Sequence, residues 1–293
     1  MISKYKSAAG GKLILETYDQ LIHAWNVPVS EEDTDTAFGR THLVTAGDLA
    51  GPPLLLFHGV GDDSAMMWLF NAQALAARFR IIAVDTLGGP GKSEPNAAYF
   101  QHFDQALWID DILRAKNLDK VYIAGVSNGA YLTQLYTAKR PDRVIKAVCM
   151  SGSIAVKGQK SPLFRMMKVF LPEALFPSEK NARKLLNKLC GNPAALSDNP
   201  LLMQHWLYLL KYFNTRCMMV HKITGFDDGE IALIRRKTRL LIGACDRLSY
   251  GTESLALLDR YQMNYHIVDQ AGHALNQEQP ALVHQEIFSY MLG

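Results

Sequence analysis

Val121-Tyr122-Ile123-Ala124-Gly125-Val126-Ser127-Asn128-Gly129-Ala130 is an apolar run that stops at a Gly-x-Ser-x-Gly pattern and continues as a helical pattern. This order predicts a strand, a sharp turn and a helix. A serine on such a turn has strained backbone geometry, and bulky side chains two residues before or after it would clash. Gly125 and Gly129 fit that requirement. Because small residues are common, the pattern alone is a weak signal, and its meaning depends on the rest of the chain.

Further short apolar runs predict that this strand belongs to a larger sheet. They are Pro53 to Phe57, Arg80 to Asp85, Val144 to Met150, Arg239 to Ala244 and Tyr265 to Val268. Helical stretches separate most of these runs, which is typical of parallel strands with helices on both faces of the sheet. Thr36 to Gly47 contains two more strand-like pieces around a glycine turn, as at an antiparallel sheet edge. We therefore expect an α/β fold with a mostly parallel, eight-stranded sheet.

Helical patterns at two places do not fit the strand rhythm. Lys12 to Trp25 predicts an amphipathic helix that packs in front of the main fold. Residues 155–237 are helical in pattern and contain fourteen Lys or Arg but only six Asp or Glu. No linker rich in Pro, Gly or Ser separates them from the remainder. The expected organisation is a core of residues 1–154 and 238–293 with an inserted helical cap, or lid, of residues 155–237.

Composition and charge exclude several classes of protein. A chain of 293 residues that is 48% hydrophobic can bury a large core, so it is neither disordered nor fibrous. The net charge of +3 is mild and no basic tract is present, which makes nucleic acid an unexpected partner. The first residues lack the pattern of a signal peptide, and no run of eighteen apolar residues occurs. We expect a soluble, cytoplasmic protein without stable membrane insertion, and its oligomeric state is open.

Candidate partners for Ser127 follow two later strands. A nucleophilic serine needs a base to take its proton and an acid to orient that base. Asp246 follows the run that ends at Ala244, and His273 follows the next run, so that Ser, Asp and His come in order at the carboxyl ends of strands. The competing acids Asp227, Asp228, Asp259 and Asp269 lie in the cap, in a helical stretch or too close to His273 in the chain. Asp246 is the preferred acid, and a structural Asp in a turn is the alternative.

Backbone N–H groups could complete this site. The tetrahedral intermediate of acyl transfer needs N–H donors directed at its oxyanion. The residue after the nucleophile, Asn128, and Val60 in the glycine turn after Pro53 to Phe57 are the expected donors. For Val60, the alternative interpretation is that it lies in an ordinary glycine turn.

The cap contains flexible and aromatic side chains that suit an apolar substrate pocket. Met166, Met167, Met203 and Trp206 are the candidates. Methionine and aromatic side chains adapt well to acyl or aryl groups, but such a set also occurs in ordinary cores. Substrate contact and core formation are both open for these four residues.

Taken together, His58-Gly59, Asp85 with its glycine-rich loop, the turn around Ser127, Asp246 and Gly272-His273 resemble the α/β-hydrolase superfamily. The first helix and the strand from Phe38 are similar to those of bacterial carboxylesterases. The loop after Asp85 is one residue longer than usual in the family, and Ala130 stands where many members have glycine. The serine at the turn argues against relatives with a carboxylate nucleophile, such as haloalkane dehalogenases and epoxide hydrolases.

The resemblance implies a serine hydrolase that cleaves small carboxylic esters through an acyl-enzyme. Ser127 would be the nucleophile, His273 the base and Asp246 its orienting acid, with the N–H groups of Val60 and Asn128 around the oxyanion. Neither a metal nor an organic cofactor is expected. Because the same triad supports other chemistry, a C–C bond hydrolase or a serine haloperoxidase-like enzyme is an alternative. A non-catalytic ligand-binding receptor on the same fold is a second alternative.

Overall fold

The computed structural model describes residues 2–159, 163–171 and 173–293, with the backbone alone for residues 163–165. Its strands form one sheet. They are β1 (Val29–Thr36), β2 (Gly39–Ala46), β3 (Pro53–Phe57), β4 (Arg80–Val84), β5 (Glu94–Pro95), β6 (Val121–Val126), β7 (Val144–Met150), β8 (Thr238–Gly243) and β9 (Asn264–Val268).

Eight strands of the sheet lie in the spatial order β1-β2-β4-β3-β6-β7-β8-β9. The ninth, the two-residue strand β5, pairs with β2 outside this order. Strand β2 pairs antiparallel with β1, β4 and β5. The neighbouring pairs β4–β3, β3–β6, β6–β7, β7–β8 and β8–β9 are all parallel. The prediction of a mostly parallel sheet is confirmed. The expected count of eight agrees with the main path, and β5 is the addition.

Alternation of side chains along the central strands explains why helices cover both faces. Leu54 and Leu56 of β3 belong to one buried hydrophobic cluster, whereas Leu55 and Phe57 belong to another. Successive side chains of a strand point to opposite faces, so each face of the sheet carries its own apolar layer. The edge strand β1 has the polar sequence Val-Ser-Glu-Glu-Asp-Thr-Asp-Thr, which protects the edge from pairing with another chain.

Helices connect the strands and pack on the two faces. They are α1 (Ala8–His23), α2 (Ser64–Met67), α3 (Ala72–Ala76), α4 (Ala97–His102), α5 (Gln105–Ala115), α6 (Asn128–Lys139), α7 (Leu163–Phe170), α8 (Glu179–Leu189), α9 (Ala194–Ser197), α10 (Pro200–Tyr212), α11 (Asp228–Lys237), α12 (Thr252–Arg260), α13 (Leu275–Glu278) and α14 (Pro280–Leu292). Short 3-10 helices occur at Pro141–Arg143 and Thr215–Val220. Among the described residues, no helix combines the length and the apolar character needed to cross a bilayer.

The connection between β7 and β8 contains helices α7 to α11 and separates two strands that are neighbours in the sheet. Helix α10 of this connection packs against α1 and α2, whereas α11 packs against α6, β7 and β8. Helix α1 occupies the place predicted from Lys12 to Trp25, and its apolar face is buried against α10. The first helix therefore joins the β7–β8 connection to the rest of the fold.

Candidate active site

The turn at Ser127 has the strained geometry that its sequence pattern predicts. Strand β6 ends at Val126 and helix α6 begins at Asn128, so Ser127 alone makes the reversal, with φ 57° and ψ −112°. A Cβ atom added to Gly125 would lie 2.1 Å from the carbonyl oxygen of Gly129. One added to Gly129 would lie 2.2 Å from the carbonyl oxygen of Phe57. Both positions therefore require glycine.

Asp246 and His273 form a hydrogen-bonded pair beyond the ends of β8 and β9. The His273 Nδ1–H donates to Asp246 Oδ2 over 2.9 Å. The other carboxylate oxygen, Oδ1, accepts the backbone N–H groups of Leu248 and Ser249. Because these three hydrogen bonds hold both oxygens of the carboxylate, its orientation toward the imidazole is fixed.

Electrostatics in this pair favour an ionised acid and a basic imidazole. Burial acts to raise the pKa of Asp246, but the facing His273 and the two backbone N–H groups hold that pKa below its ordinary value. Burial likewise opposes the charged form of His273, yet the Asp246 carboxylate raises the pKa of His273 above its ordinary 6.5. With Nδ1 donating to the carboxylate, Nε2 is the nitrogen that can accept a proton.

The three predicted residues lie at the same edge of the sheet, but they are not fully connected. In the part of the chain that the structure describes, the Asp246–His273 bond is present, whereas no hydrogen bond joins the Ser127 hydroxyl to His273. Hydrogen bonds between a nucleophile and its base are often long without substrate and shorten when one binds. The geometry is thus that of a dyad beside a strained serine.

The loop that carries His273 is held by a buried carboxylate that the sequence analysis did not identify. Glu278 accepts the N–H of Gly272 through Oε1 and the N–H groups of Gly191 and Asn192 through Oε2. His273 itself donates its backbone N–H to the carbonyl of Leu189 over 2.6 Å. The end of α8 and the histidine loop are therefore joined through one side chain. No sequence signal marks Glu278, because its partners are distant in the chain.

The loop after β3 is fixed close to Ser127. Thr86 donates its backbone N–H to His58 Nε2, so the proton of this neutral ring is on Nδ1, which donates to the carbonyl of Gly59. A Cβ on Gly59 would lie 3.5 Å from Ser127 Cβ, which shows how closely this loop approaches Ser127. Val60 comes next and is exposed, and Asn128 opens α6. The first N–H groups of a helix have no partner within it.

Asp85 has a structural role next to this loop. Its carboxylate accepts the backbone N–H groups of Ser64 and Lys92, and its carbonyl accepts the hydroxyl of Ser93. A Cβ on Gly91 would collide with this carboxylate at 2.2 Å. Asp85 therefore joins the start of α2 to the glycine-rich loop after β4.

The four predicted pocket residues lie in different environments. Met203 and Trp206 are buried on α10, in the hydrophobic cluster that also contains Met66 and Met67 of α2. Met166 on α7 is partly buried and Met167 is 48% exposed. None of the four lines the surface groove of about 1020 Å³ between α4 and the 3-10 helix at Thr215–Val220. Their role as a substrate pocket stays a prediction.

A second aspartate–histidine pair, also missed from the sequence, lies beneath the loop after β3. His205 Nε2–H donates to Asp63 Oδ2 over 2.8 Å, and both side chains are fully buried. The Thr17 hydroxyl forms a hydrogen bond of 2.7 Å with His205 Nδ1 and also lies within hydrogen-bond distance of the Leu13 carbonyl of its own helix. Both ring nitrogens of His205 are therefore bonded, Nε2 to the Asp63 carboxylate and Nδ1 to the Thr17 hydroxyl. This network joins α1, α10 and the residue that caps α2.

Comparison with known proteins agrees with this architecture. The alpha/beta hydrolase fold family matches residues 52–188. Carboxylesterase YbfK of Bacillus subtilis (strain 168) is 26% identical, over 99% of this chain and 97% of the relative. The solved structure of that esterase, CesB (YbfK), has a TM-score of 0.80 and covers 97% of this chain and 98% of its own.

Two further similar proteins are named for different reactions. The structure of naproxen esterase from Bacillus subtilis has a TM-score of 0.83 at 24% identity and covers 97% of this chain and 99% of its own. A 2-hydroxy-6-oxononadienedioate/2-hydroxy-6-oxononatrienedioate hydrolase of Cupriavidus pinatubonensis is 24% identical over 84% of this chain and 88% of the relative. The chain has the α/β-hydrolase fold, and its predicted resemblance to bacterial carboxylesterases is confirmed.

Proposed function

We propose that this chain is a serine hydrolase that cleaves carboxylic esters of small molecules through an acyl-enzyme. The observation that carries the proposal is the oriented Asp246–His273 pair at the same sheet edge as a serine on a strained turn. Full-length similarity to carboxylesterases supports the choice of esters. The preferred acid among the candidates is Asp246, because its carboxylate is the one bonded to His273.

In the proposed reaction, Ser127 attacks the ester while His273 acts first as a base and then as an acid. His273 Nε2 takes the proton of the Ser127 hydroxyl while Oγ attacks the ester carbonyl. The N–H groups of Val60 and Asn128 stabilise the oxyanion of the tetrahedral intermediate. His273 then gives the proton to the departing alcohol, and a water molecule activated by the same nitrogen hydrolyses the acyl-enzyme. Asp246 stabilises the imidazolium that forms in both halves of the reaction.

Loss of the nucleophile is the first test. Wild-type protein should hydrolyse short para-nitrophenyl esters, and Ser127→Ala should lower kcat by at least about 10⁴-fold, because the oxyanion donors alone give little turnover. Ser289→Ala is the matched control. Within the described residues, the hydroxyl of Ser289 donates to a carbonyl of its own helix, α14. Equal ester turnover in wild type and Ser127→Ala would contradict the proposal.

A C–C bond hydrolase is the second candidate, and the similarity to the Cupriavidus enzyme is the observation that favours it. The same triad could act on a carbon–carbon bond beside a ketone. Comparison of kcat/KM for a vinylogous diketone with that for a panel of esters separates the two. A higher value for the diketone than for every ester would replace the ester assignment. Ligand binding without turnover of either class would favour a receptor.

We propose that residues 155–237 form a cap over the site and that Met166, Met167, Met203 and Trp206 contact the acyl or aryl part of the substrate. The contact between α10 and α2 supports this, because α2 directly follows the loop that passes Ser127. Met166→Ala and Met203→Leu should change the dependence of kcat/KM on acyl chain length. Met219→Ala, at a 76% exposed position of the same segment, is the control. Identical chain-length profiles in all three variants would exclude these contacts.

A further inference from the structure

Asp62 is an acidic side chain beside the proposed nucleophile. It lies in the loop between β3 and α2, after the turn His58-Gly59-Val60-Gly61. A Cβ atom on Gly59 would lie 3.0 Å from Asp62 Oδ2 and 3.5 Å from Ser127 Cβ. The carboxylate and the serine therefore border the same small space next to Gly59. The side chain is partly exposed, so a ligand can reach it.

The Asp62 side chain has no bonded partner within residues 2–159, 163–171 and 173–293. Three histidines are close enough to influence its charge, His58, His205 and His273. Each of them is engaged elsewhere, His58 as a neutral ring between Thr86 and Gly59, His205 with Asp63 and His273 with Asp246. Asp62 is thus the one acid of these three aspartates that has no histidine of its own.

An unpaired carboxylate at this place is unfavourable for the proposed reaction. Burial, together with the adjacent Asp63, raises the pKa of Asp62 to about 6, so the group is still mostly ionised at neutral pH. A fixed negative charge beside the developing oxyanion opposes it. A cationic group of the substrate would pair with Asp62 and reduce that repulsion through a charge-assisted hydrogen bond or ion pair.

We propose that Asp62 makes this site selective for esters that carry an alkylammonium group close to the scissile carbonyl. This inference rests on the ester-hydrolase function proposed above. The carboxylate would hold the cation while Ser127 attacks the carbonyl. Asp62 is then a specificity-determining residue, and a neutral ester of equal shape would lack the ion pair.

Matched substrates test the charge alone. Butyrylthiocholine and neohexyl thiobutyrate differ only in trimethylammonium against tert-butyl in the alcohol part. The para-nitrophenyl esters of γ-trimethylammoniobutyrate and of its tert-butyl analogue make the same change in the acyl part. For at least one pair, wild type should prefer the charged ester by about tenfold or more in kcat/KM. A preference for the neutral ester in both pairs would overturn the proposal.

Removal of the carboxylate should abolish that preference. Asp62→Asn should bring the charged-to-neutral ratio in kcat/KM close to one, because it removes both the ion pair with the charged ester and the charge that opposes the oxyanion of the neutral ester. Asp35→Asn removes the same charge from the edge strand β1 and should leave the ratio unchanged. An unchanged ratio in Asp62→Asn, or an equal loss in both variants, would contradict the role of Asp62.

The ratio should also depend on pH. As the pH falls through about 6, Asp62 is protonated and the preference for the charged ester should decrease. His273 is needed for both esters, so its protonation cancels in the ratio. The titratable groups that face Asp62 are Asp63, His58, His205 and His273. In Asp62→Asn the ratio should be independent of pH over this range, and a persisting decrease would assign the effect to another group.

A binding measurement separates failure of this inference from failure of the ester function. Equilibrium dialysis with Ser127→Ala compares the affinity for butyrylthiocholine with that for neohexyl thiobutyrate without turnover. One possible result is that wild type cleaves no ester, that Ser127→Ala binds the charged compound more tightly, and that Asp62→Asn in that background removes the difference. This result would support the cation site at Asp62 and contradict the proposed ester-hydrolase function. If these two compounds bind equally, and the two para-nitrophenyl esters that differ in the acyl part also bind equally, the Asp62 site itself is wrong.

Discussion

Two aspartate–histidine pairs of this chain, Asp63–His205 and Asp246–His273, have nearly equal lengths but differ in what the second ring nitrogen does. In Asp63–His205 both nitrogens are bonded, and both side chains are fully buried. In Asp246–His273 the ring is 16% exposed, and within the described part of the chain its Nε2 makes no hydrogen bond. The first arrangement consumes all the bonding capacity of the imidazole. The second leaves one nitrogen able to move a proton.

The two pairs should therefore respond differently to the loss of the acid. Asp246→Asn should lower kcat for ester hydrolysis by about 10⁴-fold, since an amide would no longer hold His273 in the tautomer with a basic Nε2. The unfolding midpoint in urea should change little by comparison. A rate close to wild type would exclude Asp246 as the orienting acid.

Loss of the histidine from the buried pair should affect stability. His205→Leu leaves the Asp63 carboxylate buried without its histidine partner and should reduce the free energy of unfolding by about 3–5 kcal/mol. Urea unfolding followed by circular dichroism measures the change. Burial opposes ionisation of Asp63, but His205 holds the pKa of Asp63 below its ordinary value. A His205→Leu protein as stable as wild type would mean that the Asp63–His205 pair contributes nothing to the free energy of unfolding.

The pH dependence of catalysis should report the accessible pair. Because His273 must be neutral to act as a base, kcat/KM for a neutral ester should fall about tenfold per pH unit below the pKa of His273. Asp246 raises that pKa, so the fall should begin above pH 6.5. In Asp246→Asn, the residual activity should titrate at lower pH. The same pH midpoint of kcat/KM in wild type and Asp246→Asn would show that the Asp246 carboxylate does not raise the pKa of His273.

Glu278 allows a smaller and more specific change. Glu278→Gln keeps the shape of the side chain but removes the charge that accepts three backbone N–H groups around the histidine loop. We expect kcat to fall by about 10-fold, from a loss of about 1–2 kcal/mol in the placement of His273, with KM nearly unchanged. A conservative Glu278→Asp variant should recover part of the loss. Equal reductions of stability and kcat in both variants would indicate a purely structural role.

Most of the parallel sheet could be predicted from the sequence, because β3, β4, β6, β7 and β8 are short, nearly continuous apolar runs. The start of β1 at Val29 could not, since its charged residues are typical of a solvated edge and not of a buried strand. Ser127, Asp246 and His273 could be named as candidates because each lies in the turn or loop that follows a strand, namely β6, β8 and β9. Glu278, His205 and Asp62 could not, because their roles depend on contacts between distant parts of the chain.

The most direct test of the central claim is covalent labelling with a fluorophosphonate, followed by mass spectrometry of the proteolytic peptides. The account predicts a single modification, on Ser127, that forms rapidly in wild type and far more slowly in His273→Ala and Asp246→Asn. Labelling of His205→Leu under conditions where it is folded should remain fast. Modification at another residue, or ester hydrolysis that continues after complete labelling of Ser127, would contradict the assignment of Ser127 as the nucleophile.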